Sequence, residues 1–310
     1  MSKWIIKAVV QKFISFLPFK HRINFLFQKY VTKGVQLSDE YFDDRLIHLG
    51  KHYSFYQAYR AKELEATKVL ELGTGWYPTI PIGLFLAGFG KMYTIDISNL
   101  LEVEGVKEVI ERYISYADKG LLAFPVQTGR LEALRQLAQT TENLSLEALL
   151  AKMNITYIVG DARRMNLEDN SIDFITSNNT FEHVYPQILE DILAEFKRVN
   201  SADGGVMSHF IDMSDHFAHF DKKITIYNFL KFSETQWNLI DNTIQPQNRW
   251  RINQYQKLYE KLEIPIVKED HRAGRIEEVK ALSLHEDFQK LPIEVVAVSH
   301  GYIVSKFSQN

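Results

Sequence analysis

Lys68-Val-Leu-Glu-Leu-Gly-Thr-Gly75 carries five residues of strand-forming character straight into a turn with two glycines. Pro78 and Pro81 then suit the start of a helix that reaches about Gly88, and a second strand is predicted from Lys91 to Ile97, closing on Asp96-Ile97-Ser98. Strand, helix and strand at this spacing describe a parallel crossover unit. The rhythm continues outward. A third strand, Ile155 to Val159, meets Gly160-Asp161-Ala162, and a fourth, Ser171 to Ser177, meets Asn178-Asn179. Leu189, Ile192, Leu193, Phe196 and Val199 trace one helical face, after which Gly204-Gly205 introduces a fifth strand through about Ile211. Further strands are predicted near Ile264 to Lys268 and from Val295 to Lys306, the latter bent around Gly301. A helical region, 1–66, precedes the α/β domain, 67–310, whose alternation is interrupted by insertions at about 99–154 and 212–254.

The 310 residues are 45% apolar and 24% charged, which excludes wholesale disorder and collagen-like or coiled-coil composition. No cysteine is present, so disulfides, thiolate nucleophiles and cysteine-ligated metals are excluded. A net charge of −3 argues against a protein whose main task is to bind nucleic-acid phosphates. Basic charge gathers at one place only. Lys3, Lys7, Lys12, Lys20, Arg22, Lys29 and Lys33 precede the first acidic residue, Asp39, which leaves 29 basic against 39 acidic groups in the rest of the chain. Ile5, Ala8, Val9, Phe13, Phe16 and Leu17 recur at helical spacing there, with Lys3, Lys7 and Gln11 on another face. The segment reads as an amphipathic helix that docks or forms a lid, with weak contact at a membrane surface as the competing account. It is neither a span nor a signal peptide, and the expected location is cytoplasmic, at most peripheral to the inner membrane surface.

In open parallel sheets ligands bind beyond the carboxyl ends of the strands. Gly73 and Gly75 let the backbone turn tightly against a ligand. Asp96 is placed to accept both hydroxyls of an adenosine ribose, and Asp161 a proton of the adenine amino group. A nicotinamide dinucleotide would use the same first features, but G-x-G-x-x-G requires glycine where Pro78 stands, and no G-x-x-x-x-G-K-[ST] occurs.

With these residues the chain resembles the class I S-adenosylmethionine-dependent methyltransferases, of the small-molecule type, over about residues 67–213. That family's motif, an acidic residue followed by G-x-G-x-G, is matched by Glu71, Gly73 and Gly75, with Tyr77 in place of the last glycine. The resemblance implies a Rossmann-like α/β fold with a seven-stranded, mostly parallel sheet and a reversed last strand, here with an N-terminal helical cap and helical insertions. It implies S-adenosylmethionine as cofactor, with Gly73, Thr74 and Gly75 along the methionine and ribose, Asp96 and Ile97 at the ribose, Asp161 and Ala162 flanking adenine, and Asn178 beside them. Asn179-Thr-Phe-Glu182-His183-Val184 resembles the segment after the fourth strand in that family, which faces the active site.

His183 is the first candidate for a general base. The run His209-Phe-Ile-Asp-Met-Ser-Asp-His216-Phe-Ala-His219 concentrates titratable groups at the same edge, with His216 and His219 as further candidates for proton transfer. Its spacing matches no zinc motif such as H-E-x-x-H, and no metal is assigned. Asp215, Tyr227, Asn228, Arg249 and Arg251 are read as substrate-binding groups of the second insertion, the arginines as a clamp for carboxylate or phosphate. The expected reaction is in-line methyl transfer to a small polar acceptor, oxygen slightly favoured over nitrogen or sulfur. A catalytically silent nucleoside-binding or membrane-peripheral module is the alternative. Ser177-Asn178-Asn179-Thr180 lacks the D/N-P-P-Y pattern of amino-methylating nucleic-acid enzymes, so the acceptor is not read as a nucleic acid.

Overall fold

The computed structural model describes residues 2–18, 23, 36–140 and 144–308. Lys20, Arg22, Lys29 and Lys33 of the basic segment lie outside the described residues. Helix α1 spans Lys3–Ile14 and α2 spans Asp39–Tyr59. Then follow β1 (Lys68–Leu72), α3 (Thr79–Ala87), β2 (Lys91–Asp96), α4 (Val103–Asp118), α5 (Thr128–Gln139) and α6 (Leu146–Ala151). The chain continues through β3 (Ile155–Val159), β4 (Phe174–Asn178), α7 (Pro186–Val199) and β5 (Val206–Asp212). Short helices α8 (Phe217–Phe220) and α9 (Glu234–Ile240) lead to α10 (Ile252–Lys261) and β6 (Ile266–Arg272). After α11 (Ile276–Lys280), α12 (Glu286–Gln289) and α13 (Ile293–Ala297), β7 (His300–Lys306) closes the sheet.

The strands form one seven-stranded sheet in the order β3-β2-β1-β4-β5-β7-β6. Strands β1 to β5 pair in parallel, and β7 runs antiparallel to both β5 and β6. Strand order reverses between β1 and β4, which opens a crevice above their carboxyl ends. The turns after β1, β2 and β4 therefore share one edge of the sheet.

Both sheet faces are covered. Leu189, Ile192, Leu193, Phe196 and Val199 of α7 are all buried against one face, together with Tyr255 and Tyr259 of α10. Burial of each such side chain contributes roughly 1.5–3 kcal/mol, so packing more than helix propensity holds α7 in place. On the other face Phe42, Leu49 and Tyr56 of α2 join Leu84, Val109, Val69 and Phe174 in one cluster. The predicted cap thus shares a core with the sheet through α2, whose first turn is capped by Ser38 accepting from the Tyr41 N–H at 3.2 Å. A third apolar cluster joins Ala8 of α1 to Phe217, Phe229, Trp237, Phe288 and Val296.

Two expectations need correction. Val295 lies in α13, because Pro292 sets up a helical turn before β7, and the strand begins only at His300. The docked face of α1 is also different from the apolar stripe in the sequence: Ala8, Gln11 and Ile14 are buried, whereas Val9, Phe13 and Phe16 are exposed. Partners explain the reversal. Trp4 packs on Phe217 and Phe232, the Lys7 ammonium lies over the rings of Phe217 and Phe220, and Lys12 Nζ donates to the carbonyls of Asn238 (2.9 Å) and Asp241 (2.6 Å). Two of the lysines that suggested a membrane surface are thereby engaged within the fold. Among the described residues no helix is long and apolar enough to cross a membrane.

Candidate active site

Gly73 follows β1 with φ +86°, and a Cβ there would collide with the Thr180 side chain. Gly75 follows at φ +65° and borders open space, so both positions need glycine, one for close packing and one for the turn. Asp96 fixes this turn from the neighbouring strand: its Oδ2 accepts the Gly75 N–H and its Oδ1 the Ser98 N–H, each at 3.0 Å. Burial raises the Asp96 carboxyl above its ordinary value, against the lowering effect of these N–H groups. Glu71 lies beneath, buried, and accepts from the Thr94 hydroxyl at 2.6 Å; burial pushes it up to about 8.

The turns border a cavity of about 240 Å³ lined by Gly73, Thr74, Gly75, Tyr77 and Asn178. It shares Tyr41, Arg45, Asp96, Asn179 and His183 with a second cavity of about 830 Å³, whose far wall carries Asp212, His216, His219 and His300. Helix α2 supplies much of the junction. The Arg45 guanidinium sits 4.9 Å from the centre of the Tyr41 ring, and its Nε has no hydrogen-bond partner. His52, two turns further along the helix, holds Asn178 Oδ1 at 2.9 Å and Ser208 Oγ at 2.8 Å. Burial pushes its imidazole down to about 3, so it is neutral. Asn178 Nδ2 is left buried without a partner, a donor available to a ligand.

His183 follows β4 in a single turn of 3₁₀ helix, Phe181–His183. Burial and the neighbouring His216 push it down to about 4. In the neutral form its Nδ1–H donates to the Pro246 carbonyl at 2.7 Å, which leaves Nε2 as the free acceptor. Beside it, Asp212 at the end of β5 is surrounded by imidazoles: His216 Nε2 lies 3.3 Å and His219 Nε2 3.8 Å from Oδ2, and His300 Nε2 3.1 Å from Oδ1. Burial works against the Asp212 charge, but the facing histidines hold its carboxyl well below the usual range.

The five substrate-binding expectations are not brought to this cavity. Arg251 is fully buried and donates to the carbonyls of Met213 (2.5 Å), Val296 (2.8 Å) and Val298, while Arg249 donates to Phe229 (3.2 Å) and Phe232 and pairs with Glu234 at 2.6 Å. Tyr227 donates to the Ala297 carbonyl at 2.8 Å. Asp215 Oδ1 accepts the Phe217 N–H at 2.8 Å and its Oδ2 the Asn228 side-chain N–H at 3.2 Å, all four groups being buried. These residues carry backbone polar groups that an irregular segment leaves unpaired, which is why polar side chains are plentiful there. Asp161 also faces elsewhere. Its exposed carboxylate pairs with Arg163 at 2.6 Å and lines a separate cavity with Arg164, Asp191 and Arg198, although the Gly160 N–H ties this turn to the Asp96 carbonyl at 2.9 Å.

Residues 126–207 match the family model described as a methyltransferase domain, and they lie across the sheet that carries the glycine turn and Asp96. Over those residues the chain is similar to methyltransferase domains. The residues present fit S-adenosylmethionine, the cofactor that the sequence resemblance implies: an open glycine turn, a carboxylate at the second strand end, and the unpartnered Asn178 amide. The chain is similar in structure to an S-adenosylmethionine-dependent methyltransferase of Methanosarcina mazei (TM-score 0.44, 15% identity, 83% of this chain and 99% of the other). It is also similar to the PH0226 protein of Pyrococcus horikoshii OT3 (0.45, 16%, 87% and 92%). A third is phosphoethanolamine N-methyltransferase 2 of Haemonchus contortus, solved with S-adenosyl-L-methionine (0.44, 13%, 84% and 52%). Likeness at this level says nothing of the acceptor. No curated protein matches the chain in sequence.

Tyr41, Arg45, Asp212 and His300 were not singled out from the sequence. Arg45 carried one local signal, its i+4 spacing from Tyr41 on a helix, but nothing in the chain ties that helix to the glycine turn.

Proposed function

We propose that this chain is an S-adenosylmethionine-dependent methyltransferase that acts on a small polar acceptor, a hydroxyl oxygen, seated between Asp96 and the histidine wall. The observation that carries this reading is the continuity of the two cavities, which run from the glycine turn to His183 and Asp212 and together suit a cofactor and a metabolite-sized acceptor. When bound, S-adenosylmethionine supplies an electrophilic methyl group for in-line displacement by the acceptor atom. Asp96 retains a lone pair on each oxygen for the ribose hydroxyls, and the exposed Ile97 side chain offers an apolar surface to adenine. The Asp161-Ala162 turn flanks the same end through its backbone. Gly73, Thr74 and Gly75 admit the methionine portion, with Asn178 Nδ2 as donor and Arg45 as the cation for its carboxylate. His183 Nε2 takes the acceptor proton while Nδ1–H remains on the Pro246 carbonyl, so the imidazole is held in one tautomer. His216 and His219 stand behind it at the same wall.

An amine or thioether acceptor needs no base, and alignment alone would then carry the rate. A silent nucleoside-binding module would need the glycine end and have no use for the histidine wall. Calorimetric titration with S-adenosylmethionine and S-adenosylhomocysteine, with NAD as control, tests the cofactor half. Asp96→Ala is expected to lose about 1.5–3 kcal/mol of affinity, the value of charged hydrogen bonds. Unaltered affinity in that variant would overturn the pocket assignment.

A further inference from the structure

We propose that the histidine wall binds one divalent transition-metal ion, with Asp212, His216 and His219 as ligands. Asp212 Oδ2 lies 3.3 Å from His216 Nε2 and 3.8 Å from His219 Nε2, and one donor atom from each of the three residues lies within 4.8 Å of the other two. Donors about 2.0–2.2 Å from a common ion must sit together in this way. The Asp212 carboxylate is already oriented for the task. Its Oδ1 accepts the Ser214 N–H at 2.9 Å and faces His300 Nε2 at 3.1 Å, which turns Oδ2 toward the two imidazoles, the arrangement by which outer groups aim a metal ligand.

An independent observation points to a cation. Glu182 is 1% exposed, and neither of its carboxylate oxygens has a hydrogen-bond partner. One of them lies within 4.8 Å of ring nitrogens of His183 and His216. His216 Nε2 is itself buried and faces Asp212 Oδ2 at 3.3 Å. Two buried oxygens left without a partner are costly, and a cation beside His216 supplies one. Two imidazoles and a carboxylate suit zinc, manganese or iron(II) better than magnesium or calcium. All three ligands line the larger cavity, so a hydroxyl or water bound to the ion there would lose its proton more readily. The inference goes beyond the methyl-transfer reading and stands without it, since the ion is tested alone.

Full-length protein stripped with a chelator and dialysed is titrated with Co²⁺, read by its visible absorption, and with Zn²⁺ by calorimetry. One ion per chain is expected, with a histidine-type Co²⁺ band. His216→Ala and His219→Ala, the latter at an exposed side chain, should each weaken binding at least ~10-fold. His285→Ala, at a histidine paired with Asp287 away from the cavity, should leave binding unchanged. No stoichiometric uptake by the unaltered protein would overturn the proposal. So would uptake that survives both wall variants, which would mark ordinary surface coordination.

Discussion

At the glycine end of the cavity, Gly73, Thr74, Gly75, Asp96 and Ile97 lie between residues 73 and 97, on turns that follow two adjacent parallel strands. At the histidine end, Glu182, His183, Asp212, His216, His219 and His300 are gathered from between residues 182 and 300, from β4, β5 and β7. The first end depends on local backbone: positive φ at two glycines and an N–H held by the next strand. The second depends on strand order, because β7 must insert beside β5 before His300 can reach Asp212. Ends built so differently should fail independently.

The largest effect is expected from Arg251→Met. Arg251 ties the Met213 carbonyl, next to Asp212, to the end of α13, and its loss leaves three buried carbonyls without their donor. Urea unfolding should show a loss of about 3 kcal/mol, with cofactor affinity of the folded protein unchanged. An unchanged midpoint would return Arg251 to the role of a substrate clamp. Next, His183→Ala should lower turnover about 100-fold on any acceptor found by product-mass screening, with cofactor affinity intact, the converse of Asp96→Ala. Equal turnover would point to an acceptor that needs no base. Smallest is Asp161→Asn. Because that carboxylate is exposed and paired with Arg163, cofactor affinity should change by less than about 1 kcal/mol in calorimetry. A tenfold loss would restore Asp161 as a partner of adenine and extend the glycine end by one strand.

The extent to which the chain could be read follows the same division. Strand β1 occupies the predicted residues 68–72, and α7 buries the five positions that its spacing marked, since period and glycine turns are short-range signals. The second insertion defeated such reading. Arg249, Arg251, Tyr227, Asn228 and Asp215 have the chemistry of a recognition site, yet each is consumed by a neighbouring carbonyl, amide or carboxylate. Asp212 and Asp215 are three residues apart and both acidic; only the direction of the chain leaving β5 sends one to the cavity and the other into the core.

Helix α1 shows why a pattern is insufficient even where an element is predicted well. Its apolar stripe and its docked face differ because Phe217, Phe220 and the carbonyls of α9 receive lysines on the side that sequence alone would assign to water. By itself the sequence determined the parallel α/β sheet, the glycine turn and the carboxylate at Asp96, because these follow from the alternation of residues along single strands and from what glycine alone permits at positive φ. Tertiary structure decided which histidines meet, that Arg45 and Asn178 border the same space, and that Arg251 is buried. Those facts depend on strand order and on which carbonyls lack partners, and neither is carried by any short stretch of chain.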